Sequence, residues 1–469
     1  MSTKPLYARN WADLKAEIRR PGGAVAVAEQ ALAAIEANGE ANAYRKVDPE
    51  RVRAEAAAAG ARIAADASAP ALAGLPLSVK DLYVAEGYDT FAGTTMALDA
   101  HFPTEGPVVR ALRTDSVVVT GKTHTVEFAF GGIGTNPHYP TPVNPWDGAT
   151  ERVSGGSSSG AGVSLWTGTA ALALGSDTAG SVRVPASLTG CIGLKTTHGR
   201  WSIDGIVPLS PSLDTAGVLA LDAEVVAEAF KAIDPVAKAD PRFVARAWPG
   251  RVEGLRIGVL RQSYEGSEPG VAEATDQALK ELEAAGAVLK DVSLPVVDEA
   301  LALFHVGGVA GVEFAANINN RFPEWRDALD PNVLQRFAAI EQATAVEYLR
   351  RLDALAAMQA AGARAMDADG VDVLVGPTVP VHAPTVQEVA SPERYVNRNL
   401  LALRNTVVGN FLKLAGFTIP AGKDALGLPV GLQMMARTGA DIYAVGLLLA
   451  VARVLGQPYD RLGAPPRAR

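Results

Sequence analysis

The reading turns on residues 154–185: SGGSSSG at 154–160, an apolar run from Ala161 to Leu174, then GSDTAGSVRVP at 175–185. Two glycine-lined turns each carry a serine, Ser157 and Ser181, twenty-four residues apart. An isolated serine hydroxyl is a poor nucleophile and becomes useful only with a base and oxyanion donors around it. Glycine-rich turns suit that task, because a missing Cβ lets backbone N–H groups approach a substrate closely. Upstream, Pro76-Leu77-Ser78-Val79-Lys80-Asp81 sets a lysine at the end of a short, strand-like apolar run. A lysine with two serines is a known alternative to Ser-His-Asp for making a serine reactive. Taken singly, a Gly/Ser cluster reads as a flexible loop and a strand-terminal lysine as a solvated edge residue. Neither bland reading explains why both serine turns flank a segment that looks buried.

Gly156-Ser157-Ser158-Ser159-Gly160 also satisfies G-x-S-x-G, a nucleophile elbow centred on Ser158. That elbow should follow a hydrophobic strand and be served by a downstream histidine. Here Trp146 to Arg152 forms no such strand, and His198, His305 and His382 lie in settings that suggest no base. The match reads as chance.

Val79-Lys80-Asp81, the GGSSSG run and Gly175 to Arg183 together resemble the amidase signature family. The resemblance extends to Asn144-Pro145-Trp146-Asp147, Gly193-Leu194-Lys195, Gly199-Arg200, Leu209 to Gly217, Val375-Gly376-Pro377-Thr378 and Gly427 to Gln433, in the family's order over roughly residues 70–435. It implies a hydrolase with Ser181 as nucleophile, Ser157 as bridging serine beyond a cis peptide after Gly156, and Lys80 as general base. Lys80 would then need its pKa lowered from about 10.4 towards 7–8, which burial without a close carboxylate achieves. Asp81, the next residue along a strand, points to the opposite face. The resemblance further implies that backbone N–H groups of Thr178, Ala179, Gly180 and Ser181 hold the oxyanion, and that Gly131 and Gly132, with Phe130 and Ile133, form a substrate wall. Arg183 would brace the turn against Asp177; Ser158 and Ser159 would orient the relay or cap the following helix. Tyr139, Trp166 and Trp201 are candidates for an aromatic pocket or for core packing.

Two departures from the pattern stand out. Ala179 occupies a position where many members have glycine, and would be strained if φ there is positive. Thr196 stands where proline commonly follows the lysine. The DTAGS wording is similar to allophanate hydrolases. Three functions follow: a stand-alone amidase acting on a small-molecule carboxamide, a hydrolase of urea-derived amides of the biuret or allophanate type, or the glutaminase subunit of a tRNA-dependent amidotransferase. A homodimer is compatible with the family.

Apolar residues make up 48% of the 469-residue chain and charged residues 20%, enough for a large core. A formal charge of −8 without basic runs argues against nucleic acid or an anionic membrane surface as partner. The lone Cys191 excludes an internal disulfide, and six scattered histidines give no metal motif, so neither metal nor cofactor is expected. The N-terminal MSTKPLYARNW lacks the apolar core of a signal peptide, and no apolar run reads as bilayer-spanning; a cytoplasmic location is the expectation.

The pattern predicts one α/β domain over 1–469, with a large mixed sheet flanked by helices on both faces. Within it lie N-terminal helices in 1–70 (Val25–Ala37, Glu50–Ala65), a catalytic core at 75–220 and a variable helical region at 296–366 that shapes the entrance. Strands are expected at Leu77–Lys80, Val117–Gly121, Ala170–Gly175, Ile192–Lys195, Val371–Val375, Thr418–Ala421 and Leu428–Met434. Leu255–Leu260, Thr275–Ala284 and Val288–Leu294 form a strand–helix–strand unit, and Ile442–Leu455 a closing helix.

Overall fold

Eleven strands make one mixed sheet in the computed structural model, which describes residues 4–240, 242–243 and 250–467. In chain order they are β1 (Tyr44–Lys46), β2 (Pro76–Lys80), β3 (Val118–Thr123), β4 (Leu172–Asp177), β5 (Ile192–Lys195), β6 (Thr215–Ala220), β7 (Arg256–Leu260), β8 (Val288–Val292), β9 (Val373–Pro377), β10 (Ala415–Lys423) and β11 (Pro429–Ala436). Across the sheet the order is β1-β3-β2-β4-β6-β5-β10-β11-β9-β7-β8. β2 runs parallel to both neighbours, β3 and β4, and β7 runs parallel to β8 and β9; the middle of the sheet, from β4 to β9, is antiparallel. The mixed sheet flanked by helices agrees with the expected class.

All five residues of β2 and all six of β4 are buried, as a strand covered on both faces requires. Their parallel register pairs Leu77 with Leu172 and Val79 with Leu174, so the carboxyl ends carrying Lys80 and Ser176 come level. The helix Ser159–Trp166 lies wholly buried against these strands, and small residues let it do so. A Cβ on Gly160 would fall 2.2 Å from the Ala43 carbonyl oxygen, and one on Gly162 2.0 Å from Thr189 Oγ1. Ser78 on β2 meets Ser164 of this helix at 2.8 Å. Side chains alternate along a strand, so Lys80 shares the face of Ser78 and turns towards the helix N-terminus, where Ser157 lies.

The expected helices form at Gly23–Ala37, Pro49–Ala65, Val271–Ala284 and Asp441–Leu455. The variable region is helical at Pro295–His305, Ala310–Arg321, Pro331–Ile340 and Ala345–Asp369. β1, β6 and a short helix at Trp11–Ile18 go beyond the sequence reading. Among the described residues two helical stretches, Pro295–Arg321 and Asp441–Leu462, are long and apolar enough to cross a bilayer by length and composition alone, where the sequence suggested no run of that length. The first is interrupted at Gly307-Gly308, both at positive φ, and the second buries most of its apolar residues against the protein.

Trp166 is fully buried, edge-on to Trp146 at 5.1 Å, and Trp201 packs on Phe230 at 5.4 Å. Both belong to the core. Trp166→Ala should lower stability by about 3–5 kcal/mol, the usual cost of emptying such a site, read as a reduced urea midpoint.

Candidate active site

Lys80 is fully buried, and its Nζ lies 2.7 Å from Ser157 Oγ and 2.9 Å from Ser176 Oγ. No described carboxylate is hydrogen-bonded to it. Burial drives its pKa from 10.5 down to about 7, against a partial upward pull from the charges of Asp177 and Asp214. A shift of that size is worth about 5 kcal/mol in favour of the neutral amine. Both nearby carboxylates are engaged elsewhere. Arg183 grips Asp177 through two nitrogens, at 3.1 and 3.0 Å, and is itself held by Gln433 and Asn410 at 2.6 Å each. Burial alone would raise the Asp177 pKa, but the charge and hydrogen bonds of Arg183, then Lys195 and Asn410, bring it to about 2. Asp214 accepts from Thr178 Oγ1 at 2.6 Å and from the backbone N–H groups of Leu209 and Ser210 at 2.9 Å.

Asp81 points away from its neighbour, as the strand period requires. It forms ion pairs with Lys122 Nζ at 2.9 Å and Arg45 Nε at 2.6 Å, so its charge is neutralised on the far side of β2.

The Gly156–Ser157 peptide is cis, as the resemblance implied. Ser158 opens the helix Ser159–Trp166 but does not cap it through its side chain. Instead its N–H and Oγ reach the Ser181 carbonyl, at 3.3 and 2.6 Å, and join the two serine turns. This also removes the elbow reading: no strand precedes Ser158, and its hydroxyl is committed to a main-chain oxygen. His198 faces the Pro211 carbonyl, His382 is bonded to Asp424, and His305 is exposed.

Ser181 is 4% exposed, and its hydroxyl has no hydrogen-bond partner among the described residues. It lines a cavity of about 670 Å³ together with Ala129, Phe130, Gly131, Thr178 and Ala179. The N–H groups of Val182 and Arg183 turn onto Asp177. Those of Thr178, Ala179, Gly180 and Ser181 donate to no described residue, and unengaged N–H groups gathered beside a cavity are able to stabilise a developing negative charge. The positive φ in this turn falls on Gly180, at 138°, and Ala179 escapes the strain feared for it. A Cβ on Gly180 would stand 2.1 Å from Thr406 Oγ1, whose hydroxyl holds the Ala179 carbonyl at 2.6 Å.

Other expected residues sit off the cavity. Gly132 packs against Leu403, gives its N–H to Asn399 Oδ1 at 2.6 Å and accepts from Gly156 N–H at 2.7 Å; it supports the wall without lining it. Tyr139, half-buried, donates to the Thr94 carbonyl at 2.6 Å. Sequence reasoning assigned no role to Ser176, the second oxygen on Lys80, although it lies inside the motif. It also missed Thr406, Asn410 and Gln433, which brace the turn from distant elements.

With a buried lysine, two serine turns and unengaged N–H donors in one place, the family follows from the sequence match over residues 26–443. The chain belongs to the amidase family. It is an enzyme acting on amide C–N bonds. It is 46% identical over 425 residues to a 2-amino-5-chloromuconic acid deaminase of Comamonas testosteroni, covering 90% of this chain and 91% of that protein. It is 34% identical over 490 residues to a glutamyl-tRNA(Gln) amidotransferase subunit of Ralstonia nicotianae, with 93% and 94% of the two chains covered. Among solved structures, a crystal structure of an amidase superposes with a TM-score of 0.82 at 28% identity, over 95% of this amidase and all of that chain.

Ser158→Ala should leave the amidase active but slower. Losing one hydrogen bond to the Ser181 carbonyl is worth about 1 kcal/mol, or a roughly five-fold fall in kcat in a steady-state assay of ammonia release.

Proposed function

We infer that this amidase hydrolyses a small carboxamide through an acyl-enzyme on Ser181, with Ser157 passing protons and Lys80 as the base. The observation that supports it best is Lys80 itself: buried, near-neutral, and within hydrogen-bond reach of two hydroxyls. A neutral amine has two N–H donors and one lone pair. Ser176 takes an N–H, which leaves the lone pair free to face Ser157.

In the first half-reaction Ser181 Oγ attacks the amide carbon. Its proton passes to Ser157 as the Ser157 proton passes to Lys80. The carbonyl oxygen becomes an oxyanion among the N–H groups of Thr178, Ala179, Gly180 and Ser181. Loss of one such donor typically lowers kcat by about 10²–10³. The C–N bond then breaks, the proton held by Lys80 returns through Ser157 to the leaving nitrogen, and the amine departs. Water, deprotonated by the same relay, attacks the ester; the acid leaves and Ser181 regains its proton. Thr178, whose hydroxyl proton is directed at Asp214, presents only its oxygen lone pairs to the cavity.

A second reading, favoured by the 46% identity to the deaminase, makes the scissile nitrogen the amino group of an unsaturated acid like that relative's substrate. The glutaminase reading, supported by the 34% identity to the amidotransferase chain, predicts glutamine turnover that depends on partner subunits. Ammonia release by the isolated chain from a panel of simple amides, 2-aminomuconic-type acids and glutamine separates the three.

Ser181→Ala and Lys80→Met should each lower kcat by about 10³–10⁶-fold, the range seen when a member of a nucleophilic relay is removed. The neutral form of Lys80 is the active one, so activity is lost as pH falls through its folded-state pKa. kcat/KM should drop about ten-fold per unit below pH 7 and level off above it. A profile flat from pH 5 to 9 would falsify the role given to Lys80.

A further inference from the structure

One wall of the cavity is a single face of the helix Pro392–Phe411, presenting Val396, Asn399, Leu400, Leu403, Val407 and Phe411 at helical spacing. Asn399 is the polar residue in that apolar stripe, and it is 3% exposed. Its amide cannot be turned freely. The Gly132 N–H needs an acceptor and finds it in Asn399 Oδ1 at 2.6 Å, which fixes the NH₂ group on the other side of the amide plane. Among the described residues that NH₂ has no hydrogen-bond partner. That nitrogen opens onto the cavity, where an arriving substrate oxygen takes the place of water as its acceptor.

We propose that Asn399 is a specificity residue, whose NH₂ donates to a second oxygen acceptor on the acyl part of the substrate, a carboxylate or a ketone remote from the scissile amide. The apolar neighbours on the helix take the hydrocarbon between the two functional groups. They also strengthen the single hydrogen bond by excluding water from it. A site built to satisfy such a donor discriminates against analogues that lack the acceptor, because binding them leaves the buried NH₂ unpaired. The wall itself is fixed: Gly132 receives Asn399 on its N–H and holds the Gly156 N–H with its carbonyl, so the reading group and the Ser157 turn share one anchor.

The proposal rests on the hydrolytic reading only for placing the scissile amide at Ser181. Three amides of matched length test it: succinamate, with a carboxylate; 4-oxopentanamide, with a ketone; and pentanamide, with no acceptor. The intact enzyme should favour one or both of the first two over pentanamide by about 10–100-fold in kcat/KM, the range of one buried hydrogen bond, stronger if the acceptor is charged. The carboxylate and ketone arms identify which acceptor is read. If none is turned over, the same three are compared as competitive inhibitors of the ammonia-releasing reaction.

Asn399→Asp keeps an oxygen for the Gly132 N–H but replaces the donor with an acceptor. It should raise KM for the preferred amide by about 10–100-fold and cut its preference over pentanamide by a similar factor. Asn399→Ala, for use if the aspartate variant folds poorly, should likewise abolish the preference. Equal losses on all three amides would show a positioning role through Gly132 alone, and an unchanged preference would show that Asn399 does not touch substrate; either result overturns the proposal. Retained activity in Ser181→Ala would instead overturn the mechanism and leave the preference measurable.

Discussion

Everything around the site serves to keep one lysine out of water without giving it a counter-ion. Lys80 closes β2, an interior strand with parallel neighbours on both sides, so burial comes from the sheet itself. An ammonium placed there loses its hydration and recovers little from its surroundings, and the neutral amine becomes competitive near pH 7. The arrangement holds only while nearby negative charge is neutralised. Asp81 is taken up by Lys122 and Arg45, and Asp177 by Arg183. Arg183 therefore acts at two levels: it holds the turn bearing Ser181 in shape, and its own charge offsets part of the pull of Asp177 towards the charged form of Lys80.

How much of this could be read from the sequence depends on the range of the interaction. Lys80, Ser157 and Ser181 stand in local motifs whose glycines and spacing reveal them. The strand period also placed Asp81 on the other face before its partners were known. Those partners were not legible, because Arg45 and Lys122 come from other parts of the sheet and no local pattern ties them to residue 81. Thr406, Asn410 and Gln433 were invisible for the same reason: each reaches the turn from a helix or strand more than two hundred residues away. Asn399 left a trace, a polar residue on an otherwise apolar helical stripe, but the pattern does not say what that stripe faces.

Among the strands, β6 was missed because TAGVLA is too small and glycine-broken to announce itself. It becomes a strand by lying between β4 and β5, where its backbone pairs on both sides. β1 is three residues long at the sheet edge, below the length at which alternation can be seen. The opposite error arose at Ala179. The sequence suggested strain at a position where glycine is common, whereas the backbone places the left-handed conformation one residue later, on the glycine the chain does supply.

The variable helices line the cavity directly and also reach the Thr178 turn through a carboxylate. Glu313, on the helix Ala310–Arg321, accepts from Ser210 Oγ at 2.6 Å, Ser212 N–H at 3.1 Å, Ser212 Oγ and Tyr348 OH at 2.7 Å. Ser210 in turn gives its N–H to Asp214, which accepts from the Thr178 hydroxyl in the turn bearing Ser181. The path from the variable helices to the Thr178 side chain is thus a short series of charge-assisted hydrogen bonds through the Ser210–Asp214 segment. The packing of the variable helices and the position of Thr178 are therefore linked in this molecule. Helices repacked to admit a bulkier acyl group would pull on the Ser210–Asp214 segment and, through Asp214, on the Thr178 end of the turn.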